Sequence, residues 1–214
     1  MAIDSNLERA FKRITNSGAT STRPILQCVR IEDGAAFATD SHRALLFKEY
    51  SQDKTLQMLL NLRTFTIDDE SNYPDIRRLM QVDGKVSFEL SNLQAEQIQA
   101  FCRMIVRLNG NRQIVDISIN GRSLEISSHE SKDDLTRTSI KLQVNQSAYL
   151  EPYKDDESFE LSCDATYLMQ ALEYFTGIKG AWHDQLLVRM DLPLKPFMIS
   201  NSNTEYLLTP VRVF

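Results

Sequence analysis

Residues 25–50 read ILQCVRIEDGAAFATDSHRALLFKEY, and the reading of this stretch decides the fold. Ile25 to Ile31 has strand character, Glu32-Asp33-Gly34 is a turn, and Ala35 to Thr39 is a second strand. Aspartate followed by glycine between two strand patterns is a strong hairpin signal, because glycine accepts the positive φ that a tight hairpin turn needs. Ala44 to Tyr50 reads as a third strand. Just upstream, Leu7, Ala10, Phe11 and Ile14 recur at helical spacing, so this segment is predicted to be an amphipathic helix. Ser5 or Asn6 supplies its cap.

Working outward, the same order returns from about Leu93. Ile98, Phe101, Cys102 and Ile105 mark one helical face. Ile114 to Ile119 reads as a strand, Asn120-Gly121 as a turn, Ser123 to Ser128 as a strand, and Leu135 to Val144 as another after the polar loop His129 to Asp134. Gly34 and Gly121 are equivalent turn positions in a faint internal repeat. The second copy continues with a strand over Ser158 to Ser162. A helix capped by Asp164 then carries Tyr167, Leu168, Ala171, Leu172 and Phe175. Strands follow over Leu186 to Met190, Pro196 to Ser200 and Tyr206 to Val213. In the first copy the corresponding part is reduced to a short helix, about Lys54 to Leu62, and a strand, about Thr64 to Ile67. Residues 68–74 (DDESNYP) read as a linker, since a charge run ending at proline seldom continues an element. The prediction is an α+β chain with antiparallel sheets and few helices. A short unit covers residues 1–75 and a full unit covers residues 80–214.

Composition narrows the function class. The chain has 214 residues, 42% of them hydrophobic and 25% charged, as in ordinary globular proteins. No apolar run approaches a bilayer-spanning length. The opening MAIDSNLERAFKR carries charge where a signal peptide needs its apolar stretch, so a cytoplasmic location and no membrane partner are expected. Cys28, Cys102 and Cys163 are odd in number, far apart and set among apolar residues, which points to small buried hydrophobes rather than a disulfide scaffold or a zinc site. The net charge of −5 argues against coating nucleic acid through bulk positive charge. It leaves open a local basic face on an acidic molecule.

No catalytic constellation is visible. The histidines, His42, His129 and His183, belong to no metalloprotease motif, and neither a nucleophile elbow nor a phosphate loop is present. Asp40 and His42 are two apart, so on a strand they would share a face and offer two ligands to a metal; this weak pair is the basis of a metal-dependent nuclease reading. Asp68, Asp69 and Glu70 form an acidic run of the kind usually found in solvated loops. His183-Asp184 beside Trp182 reads as a turn. No catalytic residue, metal or cofactor is therefore expected. The helices are more suggestive. Arg9, Lys12 and Arg13 lie away from the Phe11 and Ile14 stripe, and Arg103 and Arg107 are one turn apart with Gln99 one turn before them. Two such faces suit a phosphate backbone, although ordinary solvated faces look the same.

Three segments then carry a resemblance. Ala38-Thr-Asp-Ser-His-Arg-Ala44 is similar to the A-T-D-G-H-R-L segment of bacterial DNA polymerase III beta sliding clamps. Tyr73-Pro-Asp-Ile-Arg-Arg-Leu79 is similar to their F-P-D-Y-R-R-V segment, and Tyr206-Leu-Leu-Thr-Pro-Val-Arg-Val213 to their Y-V-V-M-P-M-R-L ending. All three occur in family order, and the resemblance runs from about Leu7 to the end. It matches the second and third domains of a clamp that ordinarily has three. The first domain has no counterpart here, and the second lacks much of its latter half. Ser41 stands where the family has glycine, Ala44 where it has leucine, and Phe214 extends past the usual end.

The resemblance implies a DNA-clamp fold with helices on one face of antiparallel sheets. It implies a non-enzymatic processivity factor that encircles duplex DNA without reading sequence and tethers a polymerase or other proteins through their clamp-binding peptides. Closed clamps have six domains, so a chain with two implies a trimeric head-to-tail ring. Arg9, Lys12, Arg13, Arg103 and Arg107 would face DNA. The family's partner pocket, between its second and third domains, maps onto Thr39, His42 and Arg43; onto Pro74, Arg78 and Leu79; and onto Leu207, Leu208, Thr209, Pro210, Val211 and Arg212. Leu79, Leu207, Leu208 and Val211 suit leucine or phenylalanine anchors, and Arg43, Arg78 and Arg212 suit peptide carbonyls or acidic groups. The competing reading is a non-ring accessory module, of phage or mobile-element type, that binds clamp-binding proteins.

Overall fold

The computed structural model describes residues 5–68, 72–108, 113–129, 137–149, 158–177 and 185–213, leaving out the side chains of residues 19 and 146–149. Trp182, His183, Asp184 and Phe214 lie outside the described residues, as do Asp69 and Glu70. The chain forms two compact units. One comprises residues up to Gln81 together with Ser200–Leu207, and the other comprises Val82–Ile199 with Leu208–Phe214. Most of the last strand thus belongs to the first unit, which a linear division of the chain near residues 75–80 does not convey.

In the first unit, α1 (Ser5–Thr15) buries Leu7, Ala10, Phe11 and Ile14 against a sheet. The sheet is built from β1 (Cys28–Glu32), β2 (Ala35–Thr39), β3 (Arg43–Phe47), β4 (Met58–Asn61), β5 (Ile67–Asp68) and the C-terminal β14 (Thr204–Leu208). Within this unit the strand order is β14-β3-β2-β1-β4-β5. The hairpin reads as expected: Arg30 pairs with Phe37 and Glu32 with Ala35. Asp33 and Gly34 both take positive φ, 52° and 78°. Glycine is required at the second position because a Cβ there would sit 2.9 Å from the Ser51 carbonyl oxygen. That close approach is used, since the Tyr50 and Ser51 N–H groups both donate to the Gly34 carbonyl.

Two expectations in this unit are overturned. Pro24–Gln27 forms a 3-10 turn, so β1 starts at Cys28 rather than Ile25. The helix expected from Lys54 to Leu62 does not form. Met58–Asn61 is β4, paired antiparallel with β1 from Ile31↔Met58 to Cys28↔Asn61. Helix-compatible residues become a strand because β1 otherwise presents an unsatisfied edge, and tertiary pairing overrides a weak local preference. Asn61 then turns the chain, its Oδ1 accepting from the N–H groups of Arg63 and Thr64. A short α2 (Ile76–Leu79), not foreseen, is capped by the Asp75 carboxylate, which accepts from Arg78 N–H.

The second unit has two sheets and two helices. One sheet has the order β10 (Asn145–Tyr149), β6 (Val86–Leu90), β12 (Leu186–Met190), β13 (Phe197–Ser200). The other has the order β11 (Phe159–Asp164), β7 (Ile114–Asn120), β8 (Ser123–Ser128), β9 (Ser139–Gln143). β7 pairs antiparallel with both of its neighbours, Ile117↔Leu161 and Ile117↔Ile126. Alternation decides the burial: along β7, Val115, Ile117 and Ile119 are buried while Asp116 and Ser118 are partly open. Helices α3 (Asn92–Leu108) and α4 (Ala165–Thr176) pack on each other. The α3 residues Ile98, Phe101, Cys102 and Ile105 are buried, as are Leu168, Ala171, Leu172 and Phe175 of α4. Asp164 caps α4, accepting from Thr166 N–H at 2.7 Å and Tyr167 N–H at 3.2 Å.

Of the strand expected over Leu135 to Val144, Ser139–Gln143 forms β9, followed at once by β10, which joins the other sheet. The strand expected over Tyr206 to Val213 ends at Leu208. Pro210 has no N–H to give a ladder, which agrees with that ending.

Candidate functional site

The loop after β2 is built around one buried ion pair. Asp40 is 0% exposed and Arg43 4%. Asp40 Oδ1 accepts from the N–H groups of His42 (3.0 Å) and Arg43 (3.1 Å), and Oδ2 accepts from Arg43 Nε at 2.9 Å. Thr39 Oγ1 donates to the Arg43 carbonyl (2.8 Å) and accepts from Ser41 N–H (3.2 Å). The rest of the guanidinium reaches outward from the loop: Nη2 donates to the Arg13 carbonyl near the end of α1 (2.9 Å), and Nη1 to Tyr206 Oη on β14 (3.5 Å). Burial raises the pKa of the Tyr206 hydroxyl, with Arg43 opposing that rise.

This geometry corrects the roles read from sequence. Arg43 is a staple joining the loop, α1 and β14, and it has no guanidinium edge free for a partner's carbonyls. Thr39 is buried in the same network. Both Asp40 oxygens are engaged and shielded, so Asp40 and His42 do not offer a metal two open ligands. Among the described residues no group of three metal-binding side chains assembles. Ser41 and His42 are exposed at the loop tip.

The second motif lies against the same strand. Tyr73 Oη donates to the carbonyls of Cys28 on β1 (3.3 Å) and Phe37 on β2 (3.4 Å), and burial pushes its pKa well above the ordinary tyrosine range. Arg77 lies over the Phe37 ring, 5.6 Å from its centroid, and pairs with Asp33 at 3.3 Å. Tyr73 is buried, whereas Pro74, Arg77, Arg78 and Leu79 are exposed. Leu79 is 53% exposed, a large apolar group facing water. The first unit therefore gathers all three motifs: the 39–43 loop and the 73–79 joint on β2, and the start of the C-terminal motif, Tyr206, through Arg43.

Leu207 and Leu208 do not meet the expectation placed on them. Both are buried core residues, Leu208 at 1% exposure, so neither is open to an anchor. In the second unit, Thr209, Pro210 and Val211 are half-buried and Arg212 is exposed. Val211 N–H donates to the Ser162 carbonyl on β11 at 2.7 Å. Val211 and Arg212 line a groove of about 670 Å³ with Leu194, Asp116, His129 and Ser162. Here Ser162 Oγ donates to Asp116 Oδ1 (2.6 Å), and His129 Nδ1 lies 3.0 Å from both Asp116 oxygens. The serine bonds the carboxylate and not the imidazole, so no nucleophile–base relay is formed.

The basic helix faces differ from each other. On α3, Arg103 and Arg107 are exposed one turn apart, and Gln99 is tied to α4 by Thr176 Oγ1, which donates to its Oε1. On α1, Lys12 Nζ is 2.6 Å from Glu8 and Arg9 donates to Asn6 Oδ1. Arg13 is half-buried.

One residue escaped the sequence reading. Arg23, exposed at the 3-10 turn, donates from Nη1 to Ser41 Oγ at 3.4 Å across 18 positions. No spacing rule links them. Ser41 itself has φ +76°, a left-handed backbone that costs a residue with a Cβ roughly 1–2 kcal/mol.

No family model matches the sequence, and no curated protein matches it. Solved structures do. The DNA polymerase sliding clamp from Bacillus subtilis superposes with a TM-score of 0.73 at 23% identity, covering 98% of this chain and 62% of the clamp. The beta subunit from the DNA polymerase of Streptococcus pyogenes gives 0.72 at 18% identity, covering 97% and 64%. The DNA polymerase III beta subunit of Thermotoga maritima gives 0.73 at 13%, with the same coverage of 97% and 64%. The chain thus spans less than two thirds of the length of the structures it matches.

Proposed function

We propose that this chain, which carries the fold of the bacterial DNA polymerase III beta sliding clamps, is a clamp-like processivity factor of DNA replication. On this reading it is a cytoplasmic protein without chemistry of its own. Copies assemble head to tail around duplex DNA and tether a polymerase or other partners that carry clamp-binding peptides. The observation that supports it most is the likeness to clamp structures over 97–98% of the chain, together with three clamp-like motifs, two of them packed on β2 and the third reached from it through Arg43. Arg103 and Arg107 supply a phosphate-facing pair that positions without reading bases. Leu79 and Arg78 supply an exposed anchor site and a cation for a peptide.

A second reading, a non-ring accessory module that binds clamp-binding proteins, is favoured by one observation: Lys12 and Arg9 on α1 are partnered within the helix, which weakens that face for DNA. One experiment separates the two. Solution mass is measured by light scattering, and retention is compared on nicked circular and linear DNA after loading. A trimer retained on circles and lost from linear ends supports the clamp. A monomer that binds labelled clamp-binding peptide but is never retained on circles supports the accessory module.

A further inference from the structure

Two sheet edges are open among the described residues: β5 in the first unit and β9 in the second each have a strand on one side alone. An open edge is a template for another strand. β5 is also apolar where it meets water. Ile67 is 60% exposed, and Phe65, in the turn that leads into it, is 73% exposed at a φ of +56°, an outlier for a bulky residue. The backbone shows which residues point off each edge. Asn61 N–H donates to the Thr66 carbonyl, so Thr66 and Asp68 turn their backbone groups toward β4 and Ile67 turns its own outward. Ser128 N–H donates to the Thr138 carbonyl and Val144 N–H to the Arg122 carbonyl, so even positions along β9 face β8 while Ser139, Lys141 and Gln143 face outward. Side chains set the faces. Ile67 lies opposite Leu60, which lies opposite buried Val29, on the face away from Phe37 and Arg77. Ile140 lies opposite buried Ile126, on the core face of its sheet, whereas Lys141 is 68% exposed and pairs with Glu125. In an antiparallel pair, residues with outward backbone groups oppose each other. That would set Ile67 against an odd position of β9 and turn the two core faces to opposite sides. A parallel pair staggers the hydrogen bonds, sets Ile67 against Ile140 and keeps the core faces aligned. Asp68 then falls opposite Lys141. Charge selects the same pairing: Asp68 opens the acidic run Asp68-Asp69-Glu70, so β5 on β5, or β9 on β9, would bring like charges together.

We infer that β5 of one copy pairs in parallel with β9 of the next, Ile67 against Ile140 and Asp68 against Lys141, so that the first unit of each chain joins the second unit of its neighbour. The contact is heterologous, since each copy contributes a different edge. The inference rests on the head-to-tail reading above and names the surfaces that build it. It is tested by sedimentation velocity on the full chain over a concentration series. Wild type should self-associate. Asp68→Lys and Lys141→Asp should each weaken association by about tenfold, because a favourable cross-strand pair becomes a like-charged one. The double variant should restore it, and the difference between single and double variants should shrink with added salt. Ile67→Thr should also weaken association while its melting curve stays near wild type, because Ile67 is exposed. Circular dichroism melts of every variant separate lost assembly from lost folding. If wild type assembles but either single charge variant associates like wild type, or the double variant stays as weak as the singles, the inference is overturned and the ring reading stands. If wild type is monomeric at every concentration, the inference is overturned as well, and retention on nicked circular DNA then decides whether the ring reading falls with it.

Discussion

Arg43→Ala should cripple folding before it touches binding. The substitution leaves the Asp40 carboxylate, 0% exposed, without its cation. Breaking a buried pair from one side costs about 3–5 kcal/mol, because the remaining charge stays desolvated. The Arg13 carbonyl and the Tyr206 hydroxyl lose a donor in the same step. Against a total stability of about 5–15 kcal/mol, that is a large fraction. With a urea slope of about 2 kcal/mol/M, a loss of about 4 kcal/mol lowers the midpoint by about 2 M. Asp40→Asn should also be costly, since it leaves the Arg43 guanidinium buried without its carboxylate even though an amide oxygen can still accept from the His42 and Arg43 N–H groups. His42→Ala, at the exposed tip, should stay within about 0.5 kcal/mol. The assay is urea unfolding followed by circular dichroism, with the Asp40/Arg43 double-mutant cycle to isolate the coupling. If Arg43→Ala moves the midpoint by less than about 0.5 M at unchanged slope, and peptide affinity is nevertheless lost, Arg43 is a binding contact and the staple argument fails.

Leu79→Asp should abolish binding of a clamp-binding peptide while the melting curve stays near wild type, because Leu79 is exposed; Leu208→Asp should instead unfold the protein, because Leu208 is core. Both are read by polarisation with parallel thermal melts. Arg103→Ala and Arg107→Ala should each reduce the salt slope of DNA binding by about one unit, whereas Lys12→Ala should change it less because of Glu8. Burial pushes the Cys102 thiol up to about 12. The folded state then keeps a proton that the unfolded state gives up above about pH 9, so this group's contribution to stability is complete below pH 9 and falls as pH rises toward 12; unfolding midpoints across that range check the sign. The buried cysteines should stay unmodified by a thiol reagent at neutral pH until denaturant is added.

What was legible in the sequence was whatever local chemistry decides. The Asp33-Gly34 turn, the α1 stripe and the Asp164 cap each depend on residues within a few positions, and each appears in the structure. β4 was misread because its identity depends on the open edge of β1, some thirty positions upstream, and not on its own residues. The same holds for β10, which leaves the sheet of the preceding β9 and joins β6 in the other.

The site divides along a similar line, with one reversal. The three motifs were found because their residue types are unusual in combination, and the strands then bring two of them onto β2 and tie the third to the first. Which of their residues face solvent was not legible. An arginine in a motif that resembles a binding segment invites a contact role, yet Asp40, three positions before Arg43, can bury it as an internal pair. The spacing D-x-x-R permits either outcome, and only the Arg13 carbonyl and Tyr206, distant in sequence, decide between them. Once Arg43 is turned inward, the loop's outward chemistry falls to Ser41 and His42, and through Ser41 to Arg23. A motif match locates a functional segment, while the partition of its side chains between scaffold and surface is set by packing partners that the motif does not contain.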